Sequence, residues 1–184
     1  MGKNNIDIKK IREKVLLSPG KAWGFTSLKK QTGKTLVTKE LVEEMLRINK
    51  NVLYVSIGKN DAISYELEIR SLDEEMADNN KMIHWVCIES DERAKIIFDK
   101  KFEALFEMWK QNYDYVIFDT KAVNESGVSR KICSLCENNM IVLEKDREDG
   151  FVVREAMKEL QNMHINIAGI VLNNHKSRKS LLRM

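Results

Sequence analysis

One proline and eight glycines in 184 residues leave no stretch of the kind that makes a flexible linker. Three cysteines, Cys87, Cys133 and Cys136, are too few and odd in number for a disulfide framework. No apolar run approaches the roughly 20 residues of a membrane helix. The start, MGKNNIDIKK, lacks the apolar core of a signal peptide. Ile6 and Asp7 stand where a myristoylation signal after Met1-Gly2 asks for Ser or Thr. The expected location is therefore cytoplasmic. An excess of charge of one sign is also missing. A net charge of +3 is too small to argue for nucleic acid. Basic residues do gather at the two ends, Lys9, Lys10, Arg12 and Lys14, then Lys176, Arg178, Lys179 and Arg183. They read first as solvated faces, and only as a minority reading as a DNA or membrane contact.

What remains is an ordinary globular composition, 43% hydrophobic and 32% charged, at a length that suits one domain over residues 1–184. Residues 1–18 would be an N-terminal helix and 175–184 a basic tail. Along the chain, helical and strand patterns alternate. A helical pattern over 5–17 stops at Ser18-Pro19-Gly20. A short strand over 22–25 is followed by a polar loop and a helix over 35–48. Residues 51–57 read as a buried strand, 62–78 as a charged helix and 82–88 as a strand. A long helix is expected over 91–111, with Ile96, Ile97, Phe102, Leu105, Phe106 and Trp109 as its stripe. Strands follow over 113–120 and 140–143, then a helix over 149–162 and a last strand over 165–172. The fold class is α/β, P-loop NTPase-like, a mostly parallel sheet with helices on both faces.

The organising stretch is KAWGFTSLKKQTGKT, residues 21–35. Strand, loop ending Gly33-Lys34-Thr35, helix is the layout of a phosphate-binding loop. The first turn of a helix presents unpaired N–H groups and the positive end of the helix dipole. Gly33 allows close backbone approach, Lys34 can reach β- and γ-phosphates, and the Thr35 hydroxyl can ligate Mg²⁺. The usual GxxxxGK[ST] pattern asks for glycine at position 28, where this chain has Leu28. The plainer reading is a βα turn with Lys34 in solvent. In a parallel sheet ligands bind at the carboxyl ends of strands. The loop, 58–61, Asp119-Thr120 and Asn173 would share that rim. Asp119, closing an apolar strand, is where a Mg²⁺-orienting acid belongs, or else a capping acid.

Cys133-Ser-Leu-Cys136 lies in a helical run, and its spacing puts both thiols on one face. One pair cannot complete a zinc site, so buried thiols are expected, with a zinc shared across a dimer as the other reading. His84, in an apolar run, reads as a core or rim histidine.

The chain resembles the MinD/ParA class of P-loop ATPases, and within it the cytoplasmic domain of bacterial tyrosine kinases of capsule and exopolysaccharide systems. Thr26-Ser27 and Gly33-Lys34-Thr35 match the TS…GKS/T pattern, and Lys29 falls at the signature lysine of the class. Tyr113 to Thr120 resembles YDYVIIDTPP. Arg154-Glu155-Ala156 and Gly169 to Asn173 resemble the REA helix and GVVLN. The resemblance implies ATP and Mg²⁺ as ligands, Lys34, Asp119 and Lys29 as catalytic residues, and Gly33, Lys34, Thr35 and Asn173 as nucleotide-binding residues, Asn173 at the adenine edge. Thr35 and Asp119 would hold the metal. It implies a homodimer or higher oligomer, with Lys29 reaching across. Ile6, Lys9 and Arg12 would lie on an oligomerisation helix. A membrane-protein activator or adaptor would bring the protein to the membrane.

Departures from that pattern bear on activity. The second strand should end in an acidic VDAD, and Ser56 and Gly58 stand there, with Asp61 nearby. Lys30 and Gln31, and later Lys121 and Ala122, replace expected glycines or prolines. No tyrosine follows Tyr115, so the autophosphorylated cluster of the kinases is absent. Two functions are expected: a nucleotide-dependent switch or weak ATPase, or a non-catalytic interaction protein on the same scaffold. DNA binding is a distant third.

Overall fold

The computed structural model describes residues 7–57, 84–88, 97–145 and 149–173. Among the described residues six strands form one sheet: β1 (Ala22–Thr26), β2 (Val52–Ile57), β3 (His84–Ile88), β4 (Tyr115–Asp119), β5 (Asn138–Glu144) and β6 (Ile167–Asn173). All five pairings are parallel and the order is β3-β2-β4-β1-β5-β6. The helices are α1 (Ile8–Leu17), α2 (Lys34–Arg47), α3 (Lys100–Asn112), α4 (Gly127–Leu135) and α5 (Gly150–Asn162).

The alternation of apolar side chains along the strands builds two cores. Trp23, Phe25, Tyr54, Ile117 and Val142 face α1 and α2, meeting Ile11, Val15, Val37, Leu41 and Met45. Val55, Val116 and Phe118 face the other way, against Phe102, Phe106 and Trp109 of α3 and Ile132 of α4. The Phe106 and Trp109 rings lie 5.7 and 6.4 Å from that of Phe118. Leu28, Ile141 and Leu143 complete that face with Ala156 and Leu160 of α5. A fully buried side chain of this size contributes about 1.5–3 kcal/mol, so the central strands carry most of the hydrophobic stabilisation.

Both faces are thus covered by helices, as the pattern of long apolar runs requires. Some bounds differ from expectation. The long helix does not extend back over 97–99. It starts at Lys100, because the Asp99 carboxylate accepts from the Lys101 N–H and caps it there. Leu36 and Ile48, apolar residues of the expected helix over 35–48, are 37% exposed. The expected helix over 62–78, the loop at 58–61 with Asp61, and the basic tail lie outside the described residues, as does Ile6.

Arg12 of α1 reaches α2, where it pairs with Glu44 at 3.0 Å. Glu44 is 7% exposed and is also paired with Arg47. Its burial is tolerated because two guanidinium groups compensate the charge. Lys9 and Lys10 are exposed, and Lys10 pairs with Asp7.

The strand order fixes where a ligand could enter. β1 leads into α2 on one face, while its neighbour β4 leads into α4 on the opposite face. The two connections part at the carboxyl ends of β1 and β4. Such a divergence opens a crevice that loops line but do not fill.

Candidate functional site

The crevice holds a cavity of about 450 Å³. Ser27, Lys30, Thr32, Gly33, Lys34 and Thr35 line it from the β1–α2 connection, Ser56 and Ile57 from β2, and Asp119 to Ala122 from β4. Its place follows from register. Phe25 pairs with Asp119, and Asp119 in turn pairs with Ser56 on β2. The loop after β1 and the acid at the end of β4 therefore begin side by side.

Leu28 occupies the expected glycine position and is 3% exposed, packed with Val123 and Cys133. It pins the start of the loop to the core. Farther on, Gln31 and Gly33 both have positive φ, +61° and +78°. Gly33 is the N-cap of α2 and supplies no side-chain cap, whereas Asp7, Asp99, Ser126 and Asp149 cap the other described helices. The first N–H groups of α2 thus have no side-chain acceptor from their cap residue, the condition under which a helix start accepts an anion.

Lys34, the first residue of α2, turns into the crevice. Its Nζ lies 2.6 Å from Asp119 Oδ1, with side chains only 12% and 4% exposed. Tyr54 Oη donates to the other oxygen, Oδ2, at 3.0 Å. Tyr54 and Ser56 are two residues apart on β2 and so face the same side of the sheet as Asp119. The carboxylate is thus held from both sides. Lys34 thus lies in the crevice and not in solvent.

Asn173 ends β6 and is 1% exposed, its Nδ2 donating to the Thr32 carbonyl at 2.8 Å. Lys29 is exposed and outside the cavity lining, and its carbonyl accepts from Ser27 Oγ at 2.7 Å. Of the residues singled out from sequence, the structure gathers Gly33, Lys34, Thr35 and Asp119 around one cavity and sets Asn173 behind the loop. Tyr54 was not singled out. In the run NVLYVSI it reads as one more apolar strand residue, and only its place two residues before Ser56 hints at the rim.

Both cysteines of the CxxC are buried, Cys133 at 0% and Cys136 at 5%, and they join neighbouring clusters on the same face of the sheet. No cluster of three metal-ligating side chains occurs among the described residues. Burial pushes the Cys133 thiol up to about 12, against weaker pulls from a Thr120 hydrogen bond, the Lys34 charge and a Thr26 hydrogen bond. Burial raises Cys136 as well. These thiols stay protonated, so they are neither nucleophiles nor ready ligands near neutrality. The linkage has a definite sign. Below pH 9 the thiol is protonated in both states. Above it the unfolded chain releases a proton that folded Cys133 keeps until about 12. Stability is then expected to fall by up to about 1.4 kcal/mol per pH unit per thiol. Urea unfolding at pH 9 to 11 should show a shallower decline in Cys133→Ala than in wild type.

No protein-family model matches the chain, and no curated protein matches its sequence. Solved structures do match. The chimerical protein CapA2B2 superposes with a TM-score of 0.74 at 17% identity, over 92% of this chain and 84% of that one. The kinase domain of Escherichia coli tyrosine kinase ETK gives 0.70 at 16% identity, over 96% and 76%. The MinD cell division protein of Aquifex aeolicus gives 0.60 at 20% identity, over 85% and 70%. The fold is that of the MinD/ParA class of P-loop proteins. In this MinD/ParA-type fold the cavity lies at the loop between the first strand and the helix that Lys34 opens. Among the described residues no helix is long and apolar enough to cross a membrane.

Proposed function

We propose that the chain is an ATP-binding P-loop protein that works as a nucleotide-dependent switch with weak ATPase activity. The observation that carries this reading is Lys34, held inside the crevice by Asp119 at the uncapped start of α2. A lysine buried to this degree needs an anionic partner, and the γ-phosphate of ATP can replace Asp119 in that role. The loop N–H groups would take the phosphate oxygens. Lys34 would move from Asp119 to the β- and γ-phosphates. Asp119, released on one side and still held by Tyr54, would keep its orientation for a metal.

The donor set suits Mg²⁺. The Thr35 hydroxyl and the Asp119 carboxylate line one cavity, and Mg²⁺ is commonly held by one or two carboxylates with phosphate oxygens and water. When bound, it would neutralise charge on the phosphates. Lys29, exposed on the loop, would act across a homodimer or larger oligomer. A membrane-protein activator or adaptor of a polysaccharide-assembly system is the partner we assign, and with it a cytoplasmic protein drawn to the membrane.

Ser56 favours a second reading. It sits in register with Asp119, at the place where the tyrosine-kinase pattern carries an acid. A hydroxyl there orients an attacking group less strongly than a carboxylate. On this reading the protein binds partners on the same scaffold and does not turn over. Titration of ATP and ADP with Mg²⁺ by calorimetry decides between them together with a phosphate-release assay. The first reading expects micromolar binding and slow release. Binding without release, or no binding at millimolar ligand, would select the second.

A further inference from the structure

The loop that would cradle phosphate is held from behind by a residue on the edge strand. Asn173 is the last residue of β6, in register with Glu144 at the end of β5. It is 1% exposed, and its side-chain amide donates to the Thr32 carbonyl at 2.8 Å. Thr32 is itself 3% exposed, so this contact is sheltered from water. A Cβ built on Gly33 would collide with the same Nδ2 and lie 3.3 Å from Asn173 Cγ. The amide therefore lies against the Thr32–Gly33 peptide, and a side chain at position 33 would collide with it.

That peptide matters because of its polarity. In a planar trans peptide the C=O and the following N–H point in opposite directions. The Thr32 carbonyl is taken by Asn173, so the Gly33 N–H is turned away from Asn173. Rotating the peptide would reverse both dipoles, pointing an oxygen at any bound anion. A buried carbonyl without its donor also costs free energy, which opposes that rotation only while Asn173 is present.

We infer that Asn173 is a positioning residue of the phosphate loop: its side-chain amide fixes the Thr32–Gly33 peptide so that an N–H, and not a carbonyl, faces the anion in the crevice. The inference rests on the nucleotide-binding reading and gives Asn173 work at the phosphate end of the ligand, where the family resemblance alone points to the base.

The test compares wild type with Asn173→Ala and with Asn173→Asp, which keeps the shape and loses the donor. Full-length protein is titrated with ATP, GTP and inorganic tripolyphosphate. Positioning of the loop predicts that both variants weaken ATP and tripolyphosphate by the same factor, about tenfold or more, and leave the ATP-to-GTP ratio unchanged. Unchanged tripolyphosphate affinity with a lost ATP-to-GTP preference overturns the inference and makes Asn173 a base-reading residue. A second readout needs no ligand. The Gly33 amide resonance should shift in Asn173→Asp while that of Gly24 stays in place, and a Gly33 resonance that does not move overturns the inference. Should wild type bind none of the three ligands, the nucleotide reading fails by itself, and the Gly33 resonance still decides whether Asn173 fixes the loop. Should Asn173→Ala not fold, the Asp variant carries both readouts.

Discussion

Lys34→Ala is expected to abolish ATP binding and to destabilise the protein at the same time. The two effects have one origin. Lys34 Nζ is within 2.6 Å of Asp119, and both side chains are almost wholly buried. Truncation removes the cation that would meet the β- and γ-phosphates, and it leaves Asp119 in a poorly solvated crevice. Loss of affinity should reach at least about 100-fold, roughly 2.7 kcal/mol. Breaking a buried pair by removing one member costs about 3 kcal/mol or more, and the low end applies because Tyr54 still donates to Asp119. Loss of binding could then be mistaken for loss of fold. Adding Asp119→Asn to Lys34→Ala removes the stranded charge. The double variant should recover most of the lost melting temperature and none of the binding. Calorimetry beside thermal melting reads both, and a Lys34→Ala protein that binds ATP as wild type does would end the phosphate-loop reading.

The order of elements was legible because each strand is a short apolar run between polar turns. NVLYVSI and YDYVIFDT have the length and composition of buried strands. Gly33, Lys34, Thr35 and Asp119 were legible for the same reason, since strand ends in a parallel sheet share one rim. Strand order was not, because parallel partners are joined by distant segments and nothing local in β1 says that β4 and β5 will flank it. Leu28 shows a second limit. By pattern it is a missing glycine. By packing it is an anchor, and only the core beneath the loop reveals that. Tyr54 shows a third, because a phenol in a buried strand counts as apolar until its hydroxyl has a partner. For Asn173 the place on the rim could be read from the pattern but not the direction of its side chain, which depends on how β6 lies against the loop.

Asp119→Asn is expected to separate metal dependence from binding. In the ligand-free protein Asp119 is the competitor of the phosphates for Lys34. Its charge also opposes any phosphate brought into the same cavity. The amide variant is nearly the same shape, and its one oxygen can still accept from Tyr54, which turns the NH2 group toward Lys34 and releases it. Without metal, ATP should therefore bind more tightly to Asp119→Asn than to wild type, by about tenfold for a gain on the order of 1.4 kcal/mol. With Mg²⁺ the order should reverse. Wild type gains affinity because the Asp119 carboxylate turns to the metal, and the variant, left with the Thr35 hydroxyl, gains little. Any phosphate release should disappear in the variant even at saturating ATP, since charge neutralisation at the phosphates depends on that carboxylate. Titrations of both proteins in EDTA and in Mg²⁺ give the four affinities. If Asp119→Asn keeps the full Mg²⁺ increment, Asp119 serves only to shelter Lys34, and the metal site must be sought elsewhere in the chain.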